Sequence, residues 1–211
     1  MSDTQPGAFE VLHFWFGVRP YRAHQVQTHA RLWFGGSRAP EVKPQTDELV
    51  RERFGDLARR AADGTLKAWE SGPRRRLALI LLLDQFPRNI HRGRPEAFAQ
   101  DRRALELTLD GMQVGGDATL DPVERIFFYM PLMHAENRDI QDESVAAFIR
   151  LRAEAPAELE DFFEASLESA REHRELIARF ERFPHRNPIL GRENTADEQH
   201  WLASKRNDFG Q

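Results

Sequence analysis

The stretch Arg74-Arg75-Arg76-Leu77-Ala78-Leu79-Ile80-Leu81-Leu82-Leu83-Asp84-Gln85-Phe86-Pro87-Arg88-Asn89 decides the fold. Its run from Leu77 to Leu83 has no polar face, and a helix that is apolar all round must be enclosed by other elements. The run is far shorter than the ~20 residues that span a bilayer. It therefore predicts the central helix of a packed core, ended at Pro87, because proline lacks the backbone donor and its ring clashes with the preceding turn.

Outward from this stretch, apolar residues recur at helical spacing almost throughout, and no period-two run bounded by turn residues marks a strand. Val11, Phe14 and Trp15 open a helix that Gly17 ends, and Trp33-Phe34-Gly35-Gly36 closes the next. The repeated Trp-Phe-Gly reads as aromatics clamping helix ends into the core. Thr46 suits the N-cap of a helix whose Leu49, Val50, Phe54, Leu57, Ala58 and Ala61 face inward until Gly64. Pro95 suits a first turn, with Phe98, Ala104, Leu105 and Leu109 running towards Gly111. Asp121-Pro122-Val123-Glu124 is a strong helix start, and the helix it opens contains Pro131, which predicts a kink. Further helices are expected from Asp142 to Ala153, with Val145, Phe148 and Ile149 inward, and from Pro156 to about Phe183. A short last helix carrying Trp201 is capped by Thr195 and Glu198. The fold class is all-α, one domain over residues 1–211, with residues 1–7 a flexible tail and no linker.

The 211 residues are enough to bury one continuous core, and the absence of cysteine excludes disulfides, thiolate metal sites and a cysteine nucleophile. Thirty basic residues stand against 34 acidic ones with the signs interspersed, so no nucleic-acid partner is expected. Neither a signal peptide nor a membrane span is expected, which predicts a soluble, cytoplasmic protein. Only Lys43, Lys67 and Lys205 are lysines, and the remaining basic residues are arginines. That bias matches a coding preference of the source as well as a need for bidentate contacts.

The ending Phe86-Pro87-Arg88-Asn89 returns, one residue longer, as Phe183-Pro184-His185-Arg186-Asn187. Each copy joins an aromatic anchor and a helix stop to a cation and an amide. Asp84 lies in the last turn before Pro87, where an acid costs ~0.3–1 kcal/mol against the helix macrodipole unless a cation offsets it. Arg88 and Arg92 are local candidates, and Arg186 and Arg192 join them if the second loop folds against the first. An ion pair between Asp84 and an arginine of the C-terminal motif is therefore expected. As architecture, both loops are helix stops in which arginines pair acids and Asn89 and Asn187 bond free carbonyls. As chemistry, they form one cleft that recognises a carboxylate, a phosphate or a peptide backbone.

His134 and His173 each fall on the inward stripe of their helices. His134 sits four beyond Met130, and His173 follows Leu159, Phe163, Ser166 and Ala170 in steps of three and four. Glu136, seven beyond Tyr129, lines an adjoining polar patch. A buried neutral histidine bonded to a carboxylate or carbonyl is one reading, and a functional base is the other. Glu10 and His13 form an i,i+3 pair, but a carboxylate-bridged di-metal bundle needs a second pair, which is absent. No His-Glu-x-x-His, phosphate-binding glycine loop or Gly-x-Ser-x-Gly elbow exists either. No metal and no cofactor is expected.

Three segments carry a resemblance. Leu82 to Asn89, Tyr129-Met130-Pro131 with His134 and Glu136, and Arg182 to Asn187 with Leu190-Gly191-Arg192 resemble the bacterial domain-of-unknown-function family nine hundred twenty-four. The likeness extends from Phe14-Trp15-Phe16 to the cap at Thr195 and Glu198. It implies antiparallel helix pairs stacked in a tetratricopeptide-repeat-like array. The chain departs from the family pattern at Ala135, where serine is usual, and at Glu181, where glycine is usual. The first departure weakens any scheme with a serine nucleophile at that position. The family implies no activity, and two functional expectations follow. One is a binding module whose concave face takes a peptide or partner protein. The other is a pocket in which Asp84, Arg88, Asn89, His134, Glu136, His185 and Arg186 bind a small anionic ligand, with hydrolytic acid/base chemistry by a histidine and a carboxylate.

Overall fold

Leu77 to Leu83 are at most 3% exposed, because their helix, α4 (Pro73–Leu83), is packed on several sides. Burying a leucine or isoleucine contributes about 1.5–3 kcal/mol, so this helix is a large share of the apolar burial that organises the chain. The computed structural model describes residues 7–34 and 42–204, and among them the structure is helical with no strand. Gly7 excepted, the tail expected at 1–7 lies outside the described residues, as do Gly35 and Gly36. Ahead of α4 come α1 (Ala8–Phe16), α2 (Ala23–Phe34) and α3 (Val42–Ala62). After it come α5 (Gln85–Ile90), α6 (Asp101–Gln113), α7 (Pro122–Met133), α8 (Arg138–Ala153), α9 (Glu160–Phe180), α10 (Asn187–Leu190) and α11 (Ala196–Ser204).

Helix α4 packs against α1, α3, α6 and α7, whereas α6 to α9 pack successively on their sequence neighbours. The main core runs continuously from Val11 to Ala170, and a smaller cluster joins Leu176, Ile177, Phe183 and Trp201. The two phenylalanines of the doubled motif serve different cores. Phe86 lies within 5.4 Å of Trp15 and 5.1 Å of Phe54, ring centre to ring centre, and pins α5 to α1 and α3. Phe183 belongs to the small cluster and lies 5.4 Å from the ring of His173.

Most expected helix starts and stops are found, with exceptions: α3 opens at Val42, so Thr46 lies within it and is not its N-cap, and Pro95 opens a short 3-10 turn, Pro95–Phe98, ahead of α6. The central helix ends at Asp84, and Pro87 sits inside the first turn of α5. A proline clashes with the carbonyl four residues back, which here is that of Leu83, so the break comes before the proline itself. Pro131 falls in the last turn of α7, two residues before the helix ends at Met133. Gly111 lies within α6 and is not its stop. Leu49 and Ile149, expected inward, are 46% and 49% exposed, since each sits at the margin of its helix's apolar stripe. Helix α8 starts at Arg138, a turn earlier than expected, because the Asn137 side chain accepts from the Ile140 N–H at 3.0 Å.

The capping acid Glu124 is fully buried and joins distant segments. It accepts from the Tyr21 hydroxyl and Arg19 Nη2, both at 2.8 Å, from Arg74 Nε at 3.1 Å, and from the Asp121 N–H at 3.2 Å. The start of α7 is thereby tied to α4 and to the loop after α1.

Two substitutions test this packing. A Cβ at Gly111 would lie 2.5 Å from Phe128 Cζ and 2.9 Å from Arg76 Cδ, so Gly111→Ala forces α6 away from α7. The expected cost is about 1–3 kcal/mol, read as a lower midpoint in chemical denaturation. At the end of α9, Glu181 adopts φ 61°, the left-handed conformation that a side chain resists. Glu181→Gly, which restores the residue usual in the resembled family, should stabilise the fold by up to about 1 kcal/mol and raise the melting temperature accordingly.

Candidate functional site

The break between α4 and α5 leaves Asp84 fully buried, so its carboxylate requires partners. Arg88 Nη1 lies 3.3 Å from its Oδ1, His134 Nδ1 lies 2.7 Å from the same oxygen, and Gln85 Nε2 donates to Oδ2 at 2.6 Å. Burial alone would push the Asp84 carboxyl up, but Arg88, His134 and Gln85 outweigh it and hold the pKa well below the usual carboxylate range. The imidazole consequently donates from Nδ1, which leaves Nε2 as its basic nitrogen. Burial and the nearby Arg88 push the His134 pKa down against the opposing pull of Asp84, so the ring is neutral at pH 7.

Arg88 continues the chain of charges. It donates to both oxygens of Asp101, at 2.8 and 2.9 Å, and Arg186 Nη1 reaches Asp101 Oδ2 at 3.3 Å. The arginine at ion-pair distance from Asp84 is thus Arg88, and the expected direct pair with the C-terminal motif is replaced by a relay through Asp101. Asp101 opens α6 between the two loops and takes both guanidinium groups. Phe98 closes one side of them, with centroids 5.5 Å from Arg88 and 4.7 Å from Arg186. Phe183 stands 4.5 Å from Arg186. Burial, then Arg88, lowers the Arg186 pKa to about 10.

The turn between α7 and α8 presents His134 and Glu136. Gln141 Nε2 braces that turn by donating to the Met133 and Ala135 carbonyls, both at 2.7 Å. Glu136 accepts from Arg192 at 2.7 and 2.9 Å and from the Phe183 N–H at 2.8 Å, so it holds the C-terminal motif against the turn. These elements enclose an open cleft of about 460 Å³ lined by His134, Ala135, Glu136, Asp101, Arg102 and Arg186, with Pro95, Phe98, Ala99, Leu105 and Leu190 as its apolar walls.

His173 stands behind His134, with ring centroids 6.3 Å apart, and its Nδ1–H donates to the Ser169 carbonyl at 2.7 Å. His185 packs on Phe183 at 5.5 Å. Burial pushes both pKa values down to about 3, helped by His134 for His173 and by Arg186 for His185.

The remaining candidates stand outside the cleft lining. Arg92 grips Asp47 at 2.7 and 2.8 Å and ties α5 to α3. Tyr129 bonds Asp117 at the other end of α7. Asn187 donates to Asn194 at 2.7 Å. Asn89 is buried in α5, and the cleft is lined without it. Asp101 and Phe98 are the additions. Asp101 resembles any acid in a helical first turn, where it is favoured for reasons of its own, and Phe98 reads as an ordinary core position, so spacing alone does not single out either.

A family model described as a bacterial protein of unknown function (DUF924) matches residues 11–206. The chain belongs to this family. A solved structure of a protein of unknown function from Agrobacterium tumefaciens is similar, with 32% identity over 94% of this chain and 97% of that one and a TM-score of 0.76. Comparison with curated proteins gives no match. Ala135 lines the cleft beside His134 and presents a methyl group there. Among the described residues no helix is long and apolar enough to cross a membrane, and no group of three or more His, Cys, Asp or Glu residues is placed to hold a metal.

The lowered histidine pKa values carry a pH prediction. Unfolded histidines take a proton near pH 6.5, whereas folded His173 and His185 resist until about pH 3. Between those limits the unfolded state holds more protons, so stability is complete above pH 6.5 and declines as pH falls towards 3. His173→Gln, whose amide can still donate to the Ser169 carbonyl, should remove close to one proton from that slope. Urea unfolding at pH 7, 6 and 5 checks it, and an unchanged slope contradicts it.

Proposed function

We propose that the cleft is a small-molecule active site in which His134 acts as general base, with hydrolysis by an activated water as the reaction class. The observation that carries this reading is the Asp84–His134 pair. A fully buried carboxylate engages Nδ1 at 2.7 Å, while the same ring lines the cleft and keeps 14% of its side chain exposed. That arrangement fixes the tautomer and stabilises the imidazolium formed when Nε2 takes a proton. The neutral resting state of His134 is the competent one. Ala135 supplies no hydroxyl nucleophile, so water is the nucleophile: its proton passes to Nε2 and is then returned to the leaving group.

The cleft volume falls in the range of small-molecule sites, about 300–1,000 Å³, and Asp101, His134, Glu136 and Arg186 are among its polar groups. The successive packing of α6 to α9 supports a tetratricopeptide-like stacking of that half and, with it, a peptide-binding face. The cleft volume and its oriented base favour the small molecule.

The test is to incubate the purified protein with a metabolite extract and follow compositional change by mass spectrometry. Wild-type protein should consume at least one small molecule, and His134→Gln should be at least about 100-fold slower. The rate should fall as pH drops through the His134 pKa, which lies below 6.5, because protonation removes the base. Equal turnover by His134→Gln rules this role out.

A further inference from the structure

Arg186 presents a buried guanidinium that the protein itself barely uses. Its side chain is 6% exposed and lines the cleft. One of its N–H groups reaches a protein acceptor, Nη1 to Asp101 at 3.3 Å, and that carboxylate is already engaged at shorter range by both terminal nitrogens of Arg88. Arg186 Nε has no hydrogen-bond partner among the described residues. A buried guanidinium carries five donors, and leaving most of them unused is costly.

The two rings beside it restrict what can use them. With Phe98 centred 4.7 Å away and Phe183 4.5 Å away, the guanidinium is flanked by aromatic surface, and its donors lie along its own edge. A planar acceptor with two oxygens matches such an edge, as a carboxylate does. We infer that the ligand of this cleft is a small monocarboxylate with an apolar body, its carboxylate held by Arg186 and its body lying on Phe98, Leu105 and Leu190. This rests on the small-molecule reading of the cleft and names the class of compound that it takes.

Charge narrows the class further. Asp101, Glu136 and Arg102, which also line the cleft, are paired within the protein with Arg88, Arg192 and Glu106, so Arg186 is the cation left for a ligand and matches one negative charge better than a dianionic phosphate. The apolar wall formed by Pro95, Phe98, Ala99, Leu105 and Leu190 suits a hydrocarbon or aromatic body. The reacting bond then lies between an anchored carboxylate and the His134 imidazole.

The experiment uses non-reacting probes and reads binding, so it stands apart from the turnover test of His134. Benzoate and hexanoate, their primary amides, and phenyl phosphate are titrated into full-length protein with ¹⁵N-labelled arginine. The Arg186 Nε–H resonance and the dissociation constants are followed. At least one acid should shift that resonance and bind at least tenfold more tightly than its amide and than phenyl phosphate. Arg186→Met, which keeps an unbranched chain between the two rings, should lose that preference for the acid. The comparison of acid with amide on wild-type protein holds even if the variant does not fold. The inference is overturned if neither acid binds, if the amides bind equally well, if phenyl phosphate binds most tightly, or if a folded Arg186→Met retains the preference. Turnover that fails while the acids bind removes the role of His134 and leaves the carboxylate site standing.

Discussion

An ionised carboxylate with no solvent access must be neutralised and hydrogen-bonded in place, and Asp84 imposes that demand at the centre of the molecule. Desolvating such a group costs several kcal/mol, and removing one partner of a buried pair typically costs about 3–5 kcal/mol. Asp84 therefore takes Arg88, His134 and Gln85 together. Arg88, buried in turn, needs a second acid and finds it in Asp101, whose spare capacity draws in Arg186. One burial event at the end of α4 thus propagates through four charged side chains and brings the starts of α5, α6 and α10 together. The cleft is the outer surface of that relay.

The histidines show how the same residue type is turned to different ends by its nearest acceptor. His173 donates its Nδ1–H to the Ser169 carbonyl one turn back on its own helix, a local bond that orients the ring, while burial keeps it neutral. His134 gives its proton to a carboxylate fifty residues away in sequence, which orients the ring and makes the charged form tolerable. Burial, with nearby arginines adding to it, holds both rings in the neutral form. Glu136 is an acid of a third kind. It is occupied by Arg192 and by the Phe183 amide, and it keeps the C-terminal motif seated against the turn that carries His134.

Much of this fold was legible because helix punctuation is local. The capping box at Asp121 and Glu124, the cap at Thr195 and Glu198, and the all-round apolar run from Leu77 to Leu83 each act within a few residues, and each is found. The reading failed where a neighbour had to be known. Gly111 looked like a stop and is instead the point where Phe128 approaches α6. Leu49 and Ile149 were assigned inward from periodicity, yet both are about half exposed. The buried glutamate of the first capping box gave no sign that it also holds Arg19, Tyr21 and Arg74.

The candidate site divides in the same way. From the chain alone it followed that Asp84 sits at the unfavourable end of a helix and needs a cation, and that His134 and His173 face inward, because both statements depend only on helical geometry. Which cation answers Asp84, which acid His134 meets, and the joining of the two Phe-Pro motifs through Asp101 were decided by tertiary structure. Those pairings depend on distances through space between residues as many as 85 positions apart, as Arg186 and Asp101 are. Sequence spacing sets which face of a helix a side chain occupies, but only the packing of that helix on its neighbours sets what the face meets.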